Sequence, residues 1–309
     1  MSVQEELSNF YKEISNVVIG KNKPVLYALT SILCRGHLLI EDPPGLGKTL
    51  LAHSIASGLS LDFRRVQCTP DLLPSDITGG SIYRPSTESF EFIKGPIFTD
   101  ILLVDEINRS SPRTQSSLLE AMAENQVSAD GKTYSLSDQF MVVATQNPIE
   151  FHGTYPLPEA QLDRFFMRIE MGYPDKQSEL KIMLENTGSE AHSINQCLSR
   201  ESLSKLQQSV RQVTIKPEIS QYCLDIVRQT RHQEGISLGV SPRGSIALHH
   251  AAKAFALVTN KGLVTPQIVK QVAVPVLSHR IVLNQQKGDH LAREQAINQV
   301  LAEVTVPIS

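Results

Sequence analysis

A Gly-Lys-Thr sequence lies between an apolar run and an amphipathic run in the first part of the chain. The stretch HLLIEDPPGLGKTLLAHSIA covers residues 37–56, and its apolar run 37–41 has the character of a buried strand. A helix that begins near Lys48 would direct its first backbone N–H groups to one point, which favours phosphate. Lys48 could then reach the β and γ phosphates of a nucleotide, and the Thr49 hydroxyl could bind Mg²⁺. The residues predicted to surround the nucleotide here are Pro43, Pro44, Gly45, Leu46, Gly47, Lys48, Thr49 and Leu50.

Asp42 occupies the first position of the pattern GxxxxGK[ST], where a glycine is expected. A carboxylate would repel phosphate if it faced the loop. The position is the farthest from the phosphates, and the two prolines and two glycines that follow can still shape the turn. We therefore predict phosphate binding, with a plain turn between strand and helix as the alternative.

Two adjacent carboxylates end a second apolar run, ILLVDE, at residues 101–106. Successive side chains of a strand point in opposite directions, so Asp105 and Glu106 must have different tasks. We predict that Asp105 holds the hydration shell of Mg²⁺ and that Glu106 orients and deprotonates an attacking water. The alternative is a solvated end of a strand. The separation of 57 residues from Lys48 to Asp105 favours the catalytic interpretation.

A third apolar run, FMVVATQ at residues 140–146, leads to Asn147 and Pro148. An amide is both donor and acceptor, so Asn147 could hydrogen-bond the γ-phosphate or the attacking water. An Asn-Pro pair by itself is more often a turn. Together with the other two motifs, it predicts a third polar group at the same site.

Short apolar runs alternate with amphipathic ones through the first half of the chain. This alternation predicts a parallel sheet covered by helices on both faces, an α/β domain with its active site at the carboxyl ends of the strands. The predicted strands are 37–41, 63–68, 101–106, 140–146 and 165–171, and residues 47–59 and 113–125 have helical periodicity.

Beyond residue 177 the sequence has no convincing strand pattern. We predict a second, smaller, all-helical domain and place the domains at residues 1–174 and 175–309. The predicted helices of the second domain are 176–187, 201–212, 217–234, 243–259, 265–281 and 289–303.

The composition is that of an ordinary globular protein, with 309 residues and 41% hydrophobic side chains. No apolar run approaches the roughly 20 residues that span a bilayer, and the start lacks a signal pattern, so we expect a cytoplasmic protein without a transmembrane segment.

The net charge of −3 divides into −8 for residues 1–175 and +5 for 176–309. This asymmetry could let one subunit dock on another, although chance explains it equally well. No strongly basic face is indicated, so nucleic acid is not an expected partner.

These motifs together resemble the MoxR family of AAA+ ATPases, and the resemblance extends over nearly the whole chain. EDPPGLGKT resembles the family's Walker A motif and ILLVDEINRS its Walker B motif. ATQNPIEFHGTYPLPEAQLDRF resembles its sensor 1 and arginine-finger region, and VSPRGSIAL its sensor 2. The implied fold is a P-loop NTPase αβα domain followed by a helical lid.

The resemblance implies roles for further residues. Arg164 would be the arginine finger that reaches ATP bound by a neighbouring subunit, although pairing with Asp163 or Glu159 is an alternative. Arg243 would be sensor 2, and a phosphate beside it would offset the unfavourable position of a cation at a helix N-terminus. Arg109 is either a sensor of the neighbouring site or part of a surface salt bridge. An apolar slot beside the adenine is implied for Val18, Ile19 and Gly20.

The resemblance further implies a homo-oligomeric ring, most simply a hexamer, that hydrolyses ATP with Mg²⁺ and remodels a partner protein. A von Willebrand factor A domain protein is the implied partner.

Two segments, 70–100 and 125–140, are predicted hairpin insertions, the first interrupting a helix and the second turning at Asp130-Gly131. They could contact a partner or be decoration. Two other classes remain as alternatives: a nucleic-acid motor, and a scaffold that binds nucleotide without hydrolysis.

Overall fold

A computed structural model describes residues 3–148, 154–185, 194, 197–284 and 290–307 of the chain. The strands in these ranges are β1 (Leu38–Glu41), β2 (Phe63–Gln67), β3 (Gly79–Arg84), β4 (Ser89–Lys94), β5 (Ile101–Asp105), β6 (Gln126–Ala129), β7 (Lys132–Ser135), β8 (Met141–Gln146), β9 (Met167–Ile169), β10 (Ile236–Leu238) and β11 (Val282–Leu283). The helices are α1 (Val3–Val17), α2 (Asn22–Leu33), α3 (Lys48–Gly58), α4 (Pro74–Thr78), α5 (Pro112–Glu124), α6 (Glu159–Leu162), α7 (Lys176–Glu185), α8 (Arg200–Gln212), α9 (Pro217–Gln229), α10 (Pro242–Val258), α11 (Pro266–Leu277) and α12 (His290–Glu303).

The central sheet has five parallel strands in the order β2-β5-β8-β1-β9. Every residue of β5 is buried, as are the first five residues of β8, because helices cover both faces of a parallel sheet. The five strands predicted from the sequence are therefore confirmed, and so is the α/β fold. Parallel strands bring the ends of β1, β5 and β8 to one edge of the sheet.

The two faces of β1 belong to two apolar clusters. Leu38 and Ile40 pack with α1, α2 and α3, whereas Leu39 points to the opposite face, which α5 covers. Helices α8 to α11 pack into the first of these clusters, and the Tyr27 hydroxyl of α2 donates to the Gln271 carbonyl of α11 at 2.9 Å. The later helices are thus anchored on the helices that precede β1.

The segment after α7 is helical, as predicted, with one difference. Strands β10 and β11 form a short antiparallel ribbon, and α9 ends at Gln229 instead of continuing to residue 234. The buried Thr230 hydroxyl accepts a hydrogen bond from the Val240 N–H at 3.0 Å, and Gly235 has a φ of +88°, so the chain reverses here. Parts of three predicted segments, 149–153, 186–187 and 289, lie outside the described residues.

Both predicted insertions form antiparallel hairpins, β3–β4 and β6–β7. The second turns at Asp130 and Gly131, which have φ values of +51° and +72°, as the Asp-Gly pair predicts. The first does not interrupt a helix, because only the five-residue α4 precedes it and β5 follows without another helix. Stacking of Phe92 on Tyr134, with ring centroids 4.2 Å apart, joins the two hairpins.

None of the helices in the described ranges combines the length and the apolar content that crossing a bilayer requires.

Candidate active site

The loop between β1 and α3 has the backbone conformation of a phosphate-binding turn. Gly45 and Gly47 have φ values of +86° and +88°, and no described residue other than the chain neighbours comes within 4 Å of where a Cβ would stand at either position. Glycine is therefore required by the left-handed backbone and not by lack of space. Helix α3 begins at Lys48 directly after this turn, so its first N–H groups are directed to the loop.

The side chain of Lys48 reaches across this loop from its end to its beginning. Its Nζ donates to the Asp42 carbonyl oxygen at 2.6 Å. Burial lowers the pKa of Lys48, and the carboxylates of Asp42, Asp105 and Glu106 oppose that shift. The lysine and the two carboxylates at the end of β5 therefore face the same space.

The carboxylate of Asp42 points away from the loop. It is buried and accepts hydrogen bonds from the backbone N–H groups of Met171 and Gly172, the latter at 3.4 Å. Lys21 donates to the Gly172 carbonyl, so the same short segment is held from two sides. Burial raises the pKa of Asp42, while these N–H groups and the cations Lys48 and Lys21 oppose that rise. Asp42 thus ties the phosphate loop to the chain after β9.

Asp105 is the last residue of β5 and is buried. Arg65 Nε donates to its Oδ2 at 2.6 Å, and the Thr145 hydroxyl donates to its Oδ1 at 3.1 Å. A hydroxyl at Thr49 and this carboxylate suit Mg²⁺, which takes one or two protein oxygens besides phosphate and water. The donor set therefore fits the ion.

Glu106 has a φ of +55°, which is uncommon for a residue other than glycine and turns its side chain away from the line of β5. Its N–H donates to the Thr145 hydroxyl at 2.9 Å. Its Oε2 accepts from Gln67 Nε2 at 3.0 Å and from Arg109 Nη1 at 2.9 Å. Of the two alternatives for Arg109, the structure supports a salt bridge, and its partner is the predicted base.

Asn147 is buried directly after β8. Because β8 lies between β5 and β1, the residue lies between the strand that carries Asp105 and the strand that leads to Lys48. The three polar motifs predicted from the sequence therefore meet at one edge of the sheet.

Three further residues of this edge were not predicted. Arg65, Gln67 and Thr145 supply hydrogen-bond donors to Asp105 or Glu106. The signal for the first two is their alternation in FRRVQC, since polar residues two apart share one face of a strand. Thr145, one residue before the end of an apolar run, carries no comparable signal.

The predicted adenine slot lies beside the segment that holds Asp42. Val18 is buried, Ile19 is half-buried and Gly20 has a φ of +74°. A Cβ on Gly20 would lie 2.7 Å from the Cβ of Ser178, so the turn packs against the start of α7. Next to it, the ring of Tyr173 is 79% exposed.

Arg164 lies before β9, at the amino ends of the strands, and its Nη1 donates to the Leu119 carbonyl. The two carboxylates considered as its partners have other cations. Asp163 accepts from Arg280 at 2.7 Å, and Glu159 pairs with Arg293 at 2.9 Å. Arg164 is therefore not engaged by either of them.

Arg243 is exposed in the first turn of α10 and lies at the same edge as Arg164. Its charge acts on Arg280 and on His37, the residue before β1. A Cβ on Gly244, its neighbour, would lie 3.0 Å from Arg280 Cδ, and Arg280 itself contacts Asp163. Strand β1 spans about 13 Å between this edge and the phosphate loop. The structure thus does not bring Arg243 to Lys48 within one chain.

Two stretches of the chain match known sequence families. Residues 37–167 match the ATPase family associated with various cellular activities (AAA), and residues 228–300 match the AAA lid domain. The first match contains the phosphate loop, Asp105, Glu106, Asn147 and Arg164, and the second contains Arg243.

Individual proteins resemble nearly the full chain. Identity is 43% to the uncharacterized protein YeaC of Bacillus subtilis, over 100% of this chain and 98% of that protein. It is 39% to Chaperone MoxR1 of Mycobacterium tuberculosis, over 96% of this chain and 81% of that protein. A crystal structure of a candidate ATPase from Cytophaga hutchinsonii superposes with a TM-score of 0.89 at 38% identity, covering 99% of this chain and 96% of that one.

Proposed function

This chain belongs to the MoxR family of AAA+ ATPases, and from that premise we propose that it hydrolyses ATP at the interfaces between identical subunits of a ring. The observation that carries the proposal is the division of its polar groups between two edges of one sheet. Lys48, Asp105, Glu106 and Asn147 lie at the carboxyl edge, whereas Arg164 lies at the amino edge. One subunit therefore holds the nucleotide and the next completes the site.

At the carboxyl edge, the N–H groups of the loop and the Lys48 ammonium bind the phosphates of ATP. Thr49 and Asp105 would hold Mg²⁺, which would offset the negative charge of the phosphates. Asn147 orients the water or the γ-phosphate, and Glu106 Oε accepts the proton of the attacking water.

At the amino edge, Arg164 and Arg243 are presented to the neighbouring subunit. Neither reaches Lys48 of its own chain, because the length of the sheet separates them. A guanidinium that enters the next subunit's site stabilises the charge of the transition state. Contacts between unlike edges are heterologous, and such contacts form a ring when the rotation between subunits closes; we propose a closed ring of six subunits.

We further propose that the ring remodels a partner protein in the cytoplasm, with a von Willebrand factor A domain protein as the partner. The name of the relative MoxR1 as a chaperone supports this role. In this proposal, residues up to 174 carry the nucleotide site and residues from 175 act as the lid.

The β3–β4 hairpin is the proposed contact with that partner. Tyr83 and Phe90 are cross-strand partners whose ring centroids lie 5.4 Å apart, and they are 50% and 74% exposed. Ile82 beside them is 57% exposed. An exposed apolar surface of this kind is suited to binding a polypeptide.

The test begins with ATP binding and turnover by the purified chain with and without Mg²⁺. Glu106→Gln should bind ATP normally and lose at least about a hundredfold in turnover, as expected for a general base. Glu124→Gln, an exposed change in α5, is the matched control. Absence of Mg-dependent binding at millimolar ATP would overturn the proposal, and so would Glu106→Gln turnover within a few-fold of the wild type.

Mixing two inactive variants tests the shared site. Arg164→Ala subunits have an intact phosphate loop, and Lys48→Ala subunits have an intact Arg164. Mixed rings should regain activity, since about a quarter of randomly formed interfaces combine the two intact halves. Mixed rings that stay inactive would show that Arg164 does not act on the neighbour.

A further inference from the structure

The structure contains a cavity that lies apart from the phosphate loop. It has a volume of about 650 Å³ and lies between the end of α2, the end of α8 and the middle of α10. Small-molecule sites commonly have volumes of about 300–1,000 Å³. None of its described lining residues belongs to the phosphate loop or to the ends of β5 and β8.

Cationic and imidazole side chains from three elements converge on this cavity. Arg35 comes from the turn before β1, Arg211 from the last turn of α8, and His249, His250 and Lys253 from α10. No carboxylate is present among the described residues that line it. We call it the cationic cavity and define it by these five residues.

Among the described residues, no carboxylate contributes to the pKa shifts of His249, His250 or Lys253. Burial lowers the pKa of His249, and His250 and Lys253 lower it further. Burial also lowers the pKa of His250, with Lys253 and Arg211 adding to the effect. Burial alone lowers the pKa of Lys253. The cavity therefore has a positive potential that favours an anion.

Two of these cations are held in place. Arg35 Nε donates to Gln207 Oε1 at 2.9 Å, and Gln207 is itself fixed by Nε2 donation to Ile32 O at 3.0 Å and to Gln139 Oε1 at 2.8 Å. Lys253 Nζ donates to the Arg211 carbonyl at 2.6 Å. The remaining donors of both side chains can reach a ligand without a large loss of side-chain entropy.

We propose that the cationic cavity binds a small phosphorylated molecule. Guanidinium, ammonium and imidazole groups on several sides match the oxygens of a phosphate. Leu33 and Val210 line the same space and provide apolar surface for the organic part. An extended acidic peptide is less suited, because the described lining residues come from helices and a turn and offer no strand edge to pair with.

Inorganic pyrophosphate is the probe, titrated calorimetrically into full-length Lys48→Ala protein so that the phosphate loop is weakened. We expect binding that Arg211→Gln and Lys253→Gln each weaken by at least about tenfold, the effect of losing one charged hydrogen bond. Lys270→Gln, an exposed change on α11, is the matched control and should bind as before. Equal loss in the control, or no effect of either cavity variant, would overturn the proposal.

Citrate and hexaglutamate distinguish phosphate from other anions. Binding of citrate as tight as that of pyrophosphate, or binding of hexaglutamate alone, would overturn the assignment to a phosphorylated ligand. A second measurement needs no cavity variant. Pyrophosphate should protect His249 and His250, but not the exposed His232, from modification by diethyl pyrocarbonate followed by mass spectrometry. Equal modification with and without pyrophosphate would contradict the proposal.

Discussion

Arg109 holds the carboxylate of Glu106, with Nη1 2.9 Å from Oε2. Gln67 donates to the same oxygen at 3.0 Å. A general base must accept a proton from water, and both donors compete with water for this oxygen. The contacts of the isolated subunit therefore restrain the group that we propose as the base.

Removal of this restraint should speed basal hydrolysis. We expect Arg109→Ala to raise the turnover number about two- to fivefold with unchanged ATP affinity, because a partly exposed ion pair contributes at most about 1 kcal/mol. Steady-state ATPase assays and ATP titrations measure both quantities. Arg113→Ala, an exposed change four residues along the chain, is the control. A tenfold fall in turnover would instead indicate that Arg109 positions Glu106 or acts on the neighbouring site.

Asp42 should stabilise the fold and not repel phosphate. Asp42→Gly restores the strict glycine pattern but leaves the N–H groups of Met171 and Gly172 without their acceptor. We expect a loss of about 1–3 kcal/mol in the free energy of unfolding, the cost of an unpaired buried donor. Asp42→Asn keeps an acceptor oxygen and should lose less. Urea denaturation measures these values. If Asp42→Gly had unchanged stability and bound ATP at least tenfold more tightly, Asp42 would repel phosphate and would not stabilise the fold.

His37 should make the fold sensitive to acid. The pKa of His37 is lowered to about 4, mainly by burial and to a lesser extent by the charge of Arg243, while the Met122 carbonyl opposes the shift. The unfolded chain takes up this proton near pH 6.5 and the folded chain does not, so stability falls as the pH decreases from 6.5 towards 4.

The variant His37→Gln tests this sensitivity. When the pH is lowered from about 7.5 to 5, the free energy of unfolding should decrease by about 2 kcal/mol less in His37→Gln than in the wild type. Urea denaturation at each pH measures this difference. His232→Gln, a change at an exposed histidine, should behave as the wild type does. Equal losses for the wild type and His37→Gln would exclude His37 as a source of the pH dependence.

The carboxyl edge could be predicted from the sequence because its information is local. Lys48, Asp105 and Asn147 each follow an apolar run, and parallel strands bring such residues together whatever the rest of the chain does. The helices of the second half were predictable for the same reason, since each has its own periodicity.

The remaining features depend on contacts between distant parts of the chain. Asp42 is 129 residues from Met171, whose N–H binds the Asp42 carboxylate and so directs it away from the phosphate loop. The edge at which Arg243 lies is set by the packing of α10 against Arg280, which periodicity does not encode. Strands β10 and β11 are three and two residues long, too short to produce a pattern.

The exposed aromatic pair of the β3–β4 hairpin should be needed for partner binding and not for basal hydrolysis. We expect Tyr83→Ser with Phe90→Ser to abolish capture of partner protein by the ATP-loaded Glu106→Gln chain, because the exposed apolar surface is lost. Basal ATPase activity, tested without the Glu106 change, should stay within twofold. Leu263→Ser with Leu291→Ser removes comparable exposed apolar side chains elsewhere and should leave capture intact. Equal capture by both double variants would exclude the hairpin.

Arg243 should act on the nucleotide of the neighbouring subunit, as its position beside Arg280 and His37 indicates. Arg243→Ala alone should lower turnover at least tenfold, since the guanidinium stabilises transition-state charge. Mixed with Lys48→Ala subunits, it should regain activity, because the Lys48→Ala subunits supply an intact Arg243 to sites with an intact Lys48. A residue acting within its own chain would leave every mixed site defective. The control mixture of Lys48→Ala with the double variant Lys48→Ala/Arg243→Ala should stay inactive. If rings shown to contain both Arg243→Ala and Lys48→Ala subunits are inactive, Arg243 acts in the site of its own subunit.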